Sequence, residues 1–128
     1  MAIDPTGAGL KSFLDAGPDE PVVMLNLLRF VDGGQETYEQ YLTEFGRYAG
    51  EVGAEVVYYG YGDTPLVAEH GQDWDAVLLV RYPSRRAFSE MVADPRYRPG
   101  TALRSQPLVE AVLQPTRPAP TGRPGQGG

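Results

Sequence analysis

The sequence predicts an α+β fold: a four-stranded antiparallel sheet with two helices on one face, preceded by a short helix. Three observations carry that prediction. Strand-like and helix-like segments alternate in the order strand-helix-strand, strand-helix-strand. Two strand segments, PVVMLNLLRF and WDAVLLVRYP, are almost continuously apolar and suit the two central positions of a sheet. Two helical segments carry an apolar stripe along one side. Right-handed crossovers then place both helices on the same face of the sheet.

Taken in order, residues 6–15, TGAGLKSFLD, have the spacing of a short helix with Leu10, Phe13 and Leu14 on one side, closed by Gly17 and Pro18. The first strand follows over 22–30. Asp32, Gly33 and Gly34 make a turn. The next segment, QETYEQYLTEFGRYAGEV, places Tyr38, Tyr41, Leu42, Phe45, Tyr48, Ala49 and Val52 at helical spacing. Glu36 and Glu39 suit the positive end of that helix. Gly53 stops it, and AEVVYYGYG, rich in β-branched and aromatic residues, reads as the second strand. A loop, GDTPLVAEHGQD, leads to the third strand, WDAVLLVRYP. Pro83 ends that strand and Ser84 is placed to cap the helix RRAFSEMVAD, with Ala87, Phe88, Met91 and Val92 facing inward. Asp94-Pro95 breaks the helix. PRYRPGTALRSQ reads as irregular because Pro99-Gly100 interrupts any helix there, and PLVEAVLQP reads as the last strand. A single domain is therefore expected over 1–114, followed by a disordered Pro- and Gly-rich tail over 115–128.

The chain has 128 residues, enough for one domain with a real core. Its net charge of −6 argues against nucleic acid as a partner, since phosphate binding wants a basic face. The arginines do cluster locally, at Arg85 and Arg86 and again at Arg96, Arg98 and Arg104. Arg85 and Arg86 read either as a solvated face or as a patch holding a carboxylate or phosphate of a small ligand. No run approaches the roughly 20 apolar residues that span a bilayer, so no membrane partner is expected. The absence of cysteine removes disulfides and thiolate metal sites. Together with an N-terminus that lacks a signal pattern, this fits a cytoplasmic protein.

Side chains alternate along a strand. Val23, Leu25, Leu27 and Arg29 share one face of the first strand, and Met24, Asn26 and Leu28 the other. Both faces are apolar, yet two helices cover only one. An uncovered face of several hundred Å² calls for a second copy, so a two-fold homodimer closing into a barrel is expected. On this reading Val23, Leu25 and Leu27 lie beneath the helices, and Met24, Asn26 and Leu28 point into the barrel with Trp74 and some of the tyrosines Tyr58, Tyr59 and Tyr61. Arg29 would reach water or pair with Glu36 or Glu39. Asn26 must be bonded, because a buried amide without partners costs about 1–3 kcal/mol. Either it ties to backbone or a tyrosine hydroxyl, or it is the polar contact of an apolar pocket.

PVVMLNLLRF, GGQETYEQY, GAEVVYYG, WDAVLLVRYPSRRAFSEMVADPRY and the distant Arg104 together resemble the domain-of-unknown-function 1330 family, over about residues 5–115. The resemblance implies a ferredoxin-like fold of the dimeric α/β-barrel superfamily. That superfamily includes cofactor-independent monooxygenases, muconolactone isomerase-like enzymes and haem-dependent members. By motif, the polar positions of the family fall on Asn26, Tyr38, Tyr41, Trp74, Asp75 and Arg104. The chain departs from the pattern after Tyr97, where family members carry histidine ahead of the arginine and this sequence has RPGTALR.

His70 is the only histidine, so neither a metal cluster nor a haem ligand set has a basis, and no cofactor is expected. Ser-His-Asp chemistry would need the same His70 in a loop. General acid-base chemistry is left: Asp75 beside Trp74, with His70, as proton carriers, and Arg104 as a bidentate clamp for an anion. Asn26, Trp74, Tyr38, Tyr41 and Tyr58 are the ligand-binding candidates. The resulting expectation is a dimeric, metal-free enzyme acting on a hydrophobic, oxygen-bearing small molecule by isomerisation, cyclisation or cofactor-independent oxygenation. The alternative is a non-catalytic module that binds a small molecule or a partner.

Overall fold

The computed structural model of the protein describes residues 6–96 and 104–120. It contains α1 (Gly7–Asp15), β1 (Val22–Phe30), α2 (Gly34–Ala49), a single 3₁₀ turn (Gly50–Val52), β2 (Glu55–Tyr61), β3 (Ala76–Tyr82), α3 (Arg85–Ala93) and β4 (Leu108–Thr116). The four strands form one antiparallel sheet in the order β2-β3-β1-β4, so the two most apolar strands are central. This is an α+β, ferredoxin-like fold.

Local chemistry sets the element ends. Thr6 caps α1 by accepting from the Gly9 N–H at 2.9 Å, and Ser84 caps α3 by accepting from the Ala87 N–H at 3.0 Å. Gly53 closes the 3₁₀ turn at φ +78°, a left-handed conformation that a side chain would strain. Tyr38, Tyr41, Phe45 and Ala49 recur at helical spacing and are buried, as are Ala87, Phe88 and Met91. Each large apolar side chain so buried stabilises the fold by about 1.5–3 kcal/mol.

The strand faces are the reverse of those the sequence reading assigned. Val22, Met24, Asn26 and Leu28 are buried beneath the helices, as are Ala76, Leu78, Val80 and Tyr82. Val23, Leu25, Leu27, Val77 and Leu79 lie on the open face and are half-buried. Arg29 and Arg81 share that open face, the side on which a cation reaches water. Arg29 consequently pairs across the ladder with Glu110 (3.0 Å) and with Asp73 (3.3 Å), not with Glu36 or Glu39 on α2. Of the three tyrosines of β2, Tyr58 lies level with Leu79 on the open face, while Tyr59 faces the helices and stacks on Tyr38.

Two boundaries also differ. Pro115 and Thr116, expected in the tail, pair with Met24 and Val23 in β4. β4 is an edge strand, where a proline needs no ladder N–H, and the Thr116 hydroxyl donates to the Val23 carbonyl at 2.8 Å. Arg104 and Ser105, expected in the irregular stretch, are helical. The rest of that stretch, 97–103, and the tail beyond 120 lie outside the described residues. Among the described residues, no helix is long and apolar enough to cross a membrane.

Candidate functional site

Asn26 stands in the middle of β1, level with Leu78 of β3 and Leu113 of β4, and is 5% exposed. Its Nδ2 donates to the Met24 carbonyl at 3.4 Å and the Leu78 carbonyl at 3.3 Å. Both bonds are long for an N–H to oxygen contact. Its Oδ1 accepts no hydrogen bond from a described residue. Tyr38 is fully buried on the inner side of α2, its ring 5.3 Å from that of Tyr41, 5.6 Å from Phe30 and 6.4 Å from Tyr59. The three-residue spacing puts Tyr38 and Tyr41 on one helix face. Arg104, 6% exposed, enters the interior from the short helical turn before β4.

A cleft of about 430 Å³ opens between α1, α3 and the β1–β4 pair. Leu10, Phe13, Met24, Phe88 and Leu113 make its apolar walls, with Ser12 and Arg85 as polar members. Its cause is the loose seating of α1, which has no buried residue: Leu10 and Phe13 are half-buried and Leu14, expected inward, is 39% exposed. The helix is held instead by the Phe13–Phe88 ring contact (5.5 Å) and by Arg85. The cleft reaches the sheet beside Asn26. Met24 precedes Asn26 by two residues on the same face, and Leu113 is its register partner.

The other candidates lie elsewhere. Asp75, at the end of the sheet, is exposed, and its Oδ2 accepts from the Phe30 N–H at 2.8 Å, closing the β1–β3 pair. Trp74 is half-buried beneath the Arg29 guanidinium, 4.6 Å from its ring centre. That guanidinium also donates to the Asp73 and Gly71 carbonyls. His70 is exposed in the loop between β2 and β3, and Tyr58 is 54% exposed. At the outer edge, one Glu39 oxygen, Oε2, accepts from the hydroxyls of Tyr61 (2.7 Å) and Tyr59 (3.1 Å). Burial, then the bond to Glu39, pushes the Tyr59 phenol well above its ordinary range. The Glu39 bond, then burial, also raises the Tyr61 phenol.

Tyr38 and Tyr41 thus pack together on the helix side of the sheet, the side on which Asn26 is buried, whereas Trp74 sits with Arg29, and Asp75 lies beyond the strand end. None of these is among the described residues that line the cleft. Trp74 lies four residues before Leu78, about 13 Å from the level of Asn26 along the sheet. Phe13, Met24, Phe88 and Leu113 were not singled out as site residues by the sequence. A signal for two of them existed in the lone phenylalanines of the segments that became α1 and α3. No group of three or more His, Cys, Asp or Glu side chains among the described residues is arranged to hold a metal ion.

These features define a ferredoxin-like α+β protein with an apolar cleft on its helix side. The chain belongs to the family described as Domain of unknown function (DUF1330), which matches residues 28–113. RPA0582, a protein of unknown function from Rhodopseudomonas palustris, is 30% identical in sequence, with 91% of this chain and 96% of that chain covered at a TM-score of 0.82. Two more distant structures share the fold. A hydroxynitrile lyase from Passiflora edulis is 15% identical, covering 81% of this chain and 98% of its own, TM-score 0.62. A dimeric ferredoxin-like protein of unknown function from Jannaschia sp. CCS1 is 9% identical, covering 76% and 98%, TM-score 0.58. No curated protein matches the chain.

Proposed function

We propose that the chain is a dimeric, metal-free cytoplasmic enzyme that holds a hydrophobic, oxygen-bearing small molecule between its helices and its sheet. The reaction class is isomerisation, cyclisation or cofactor-independent oxygenation. The observation that carries this reading is the cleft of about 430 Å³ that reaches the sheet beside Asn26. That size, with mostly apolar walls and few polar members, is the usual form of a small-molecule site. In this reading Asn26, which stands beside the cleft without lining it, offers Oδ1 to a ligand hydroxyl, and Arg104 and Tyr38, also outside the lining, are further buried polar groups that a ligand would have to reach. The hydroxynitrile lyase among the neighbours is an enzyme by name, so this fold can carry an enzymatic site. The homodimer draws support from the half-buried apolar open face and from the dimeric neighbour.

A second reading, a non-catalytic binding module, is favoured by one observation. None of the eight site residues expected from the sequence is among the described residues that line the cleft, and Asp75 and His70, the sequence's proton carriers, are both exposed. The test is a panel of aromatic and polyketide-like compounds, followed by amide NMR for binding and by mass spectrometry for turnover. Shifts centred on Met24 and Leu113 with a changed ligand mass support the enzyme. Shifts without chemistry support the module. A panel that leaves Met24 and Leu113 unmoved sinks both.

A further inference from the structure

The arginines of this protein differ in their company. Arg29, Arg47, Arg86 and Arg96 each pair with a carboxylate within 4 Å. Arg85 does not pair with one among the described residues. It is half-buried, lines the cleft, and lies 4.7 Å from the centre of the Phe13 ring. One of its five N–H groups, on Nη1, donates to the Phe13 carbonyl at 2.9 Å, which caps the end of α1. Gly17 gives the guanidinium room: a β-carbon there would stand 3.1 Å from Nη2 and 3.3 Å from Nε. The planar cation is thus fixed in place between a ring and a glycine, beside an apolar cleft and with four N–H groups left over. Capping alone accounts for one donor and not for a charge without a counter-ion at the cleft.

From this geometry we infer that the cleft takes a monocarboxylate with an apolar body, its carboxylate on Arg85 and its tail on Leu10, Phe13, Met24 and Phe88. The inference rests on the reading of the cleft as a small-molecule site and names the chemistry of its occupant. A guanidinium pairs with a carboxylate through two parallel N–H bonds, stronger than bonds to a neutral group. The pre-positioned ring and glycine lower the ordering cost of that pair. The remaining apolar contacts supply affinity without direction.

The experiment compares octanoate with octanamide, which share a tail and differ in charge, by calorimetry and amide NMR on the full chain. Octanoate is expected to bind at least about tenfold more tightly than octanamide, both shifting Met24 and Leu113. Arg85→Gln should remove that advantage, leaving the two ligands alike, while Arg85→Lys should restore part of it. If both ligands shift the cleft with equal affinity, the carboxylate assignment fails and the small-molecule reading stands. If neither shifts it, the carboxylate assignment fails, and the aromatic and polyketide-like panel decides separately whether the small-molecule reading falls with it. The wild-type pair of ligands decides the question even if Arg85→Gln loosens α1.

Discussion

Asn26 carries an amide in a layer that gives its Nδ2 two bonds of 3.3 and 3.4 Å to main-chain carbonyls. Bonds of that length contribute little, and the carbonyls they reach belong to strands already laddered to their neighbours. Asn26→Leu, similar in shape, is therefore expected to change unfolding free energy by no more than about 1 kcal/mol in urea titrations. Asn26→Asp is expected to cost about 3 kcal/mol near neutral pH, because a carboxylate there faces carbonyl oxygens in an apolar layer. Burial would raise that carboxyl above its unfolded value. Its neutral form is then the tolerated one, so the variant should be most stable below about pH 4 and lose stability as pH rises. Equal damage from both substitutions would make the amide a necessary core tie and remove its functional reading. The sequence showed that Asn26 is buried and polar but not on which side of the sheet. Apolar residues fill both faces of β1 and β3, so alternation alone could not choose. The signal lay in Arg29 and Arg81, which share a parity and mark the face open to water.

At the scale of elements, spacing was a sufficient guide wherever a stripe was buried. α2 and α3 lie where their tyrosines, phenylalanines and methionine recur, and the paired central strands are the two apolar runs. Spacing placed α1 correctly but not its burial: its apolar residues are too few to bury, and the helix is held by a ring contact and a distant arginine. Contacts between residues 72 positions apart, such as Arg85 to Phe13, leave no local pattern. The edge strand β2 is attached to α2 in a comparable way, through Tyr59 and Tyr61 to one oxygen of Glu39. Both phenols are raised above their unfolded value near pH 10. A raised value means the folded state keeps its protons while the unfolded state gives them up. The contribution is thus fully present below about pH 10 and lost as pH rises above it. Urea titrations from pH 8 to 11 should show stability falling at the alkaline end, and Glu39→Gln should flatten that fall. Parallel curves for the two proteins would detach the tyrosines from Glu39.

At the scale of the molecule, the two faces of the sheet carry separate assignments. The helix face holds Asn26 and the cleft, and the open face presents Val23, Leu25, Leu27, Val77 and Leu79 in a half-buried array. Tyr58 and Val57 on β2 are more than half exposed, which extends apolar surface to that edge. A contiguous apolar face is the usual place for a second copy to dock, and a stable pair of copies buries about 800 Å² on each. Leu25 lies level with Leu79 and Gln114 near the middle of the open face. A glutamate at that position stays hydrated in a single chain but would be stripped of water between two. Leu25→Glu is therefore expected to weaken self-association on the order of a hundredfold while leaving the fold intact. Sedimentation should find the natural chain at twice the mass of one 13.9 kDa copy and the variant at that single mass. A natural chain that sediments as one copy at every concentration would end the dimer assignment. Because the cleft opens on the helix face, the single-copy variant should still bind octanoate with the affinity of the natural protein. If a folded Leu25→Glu variant lost that binding, the two faces would be coupled, and the second copy would have to be counted among the elements that shape the cleft.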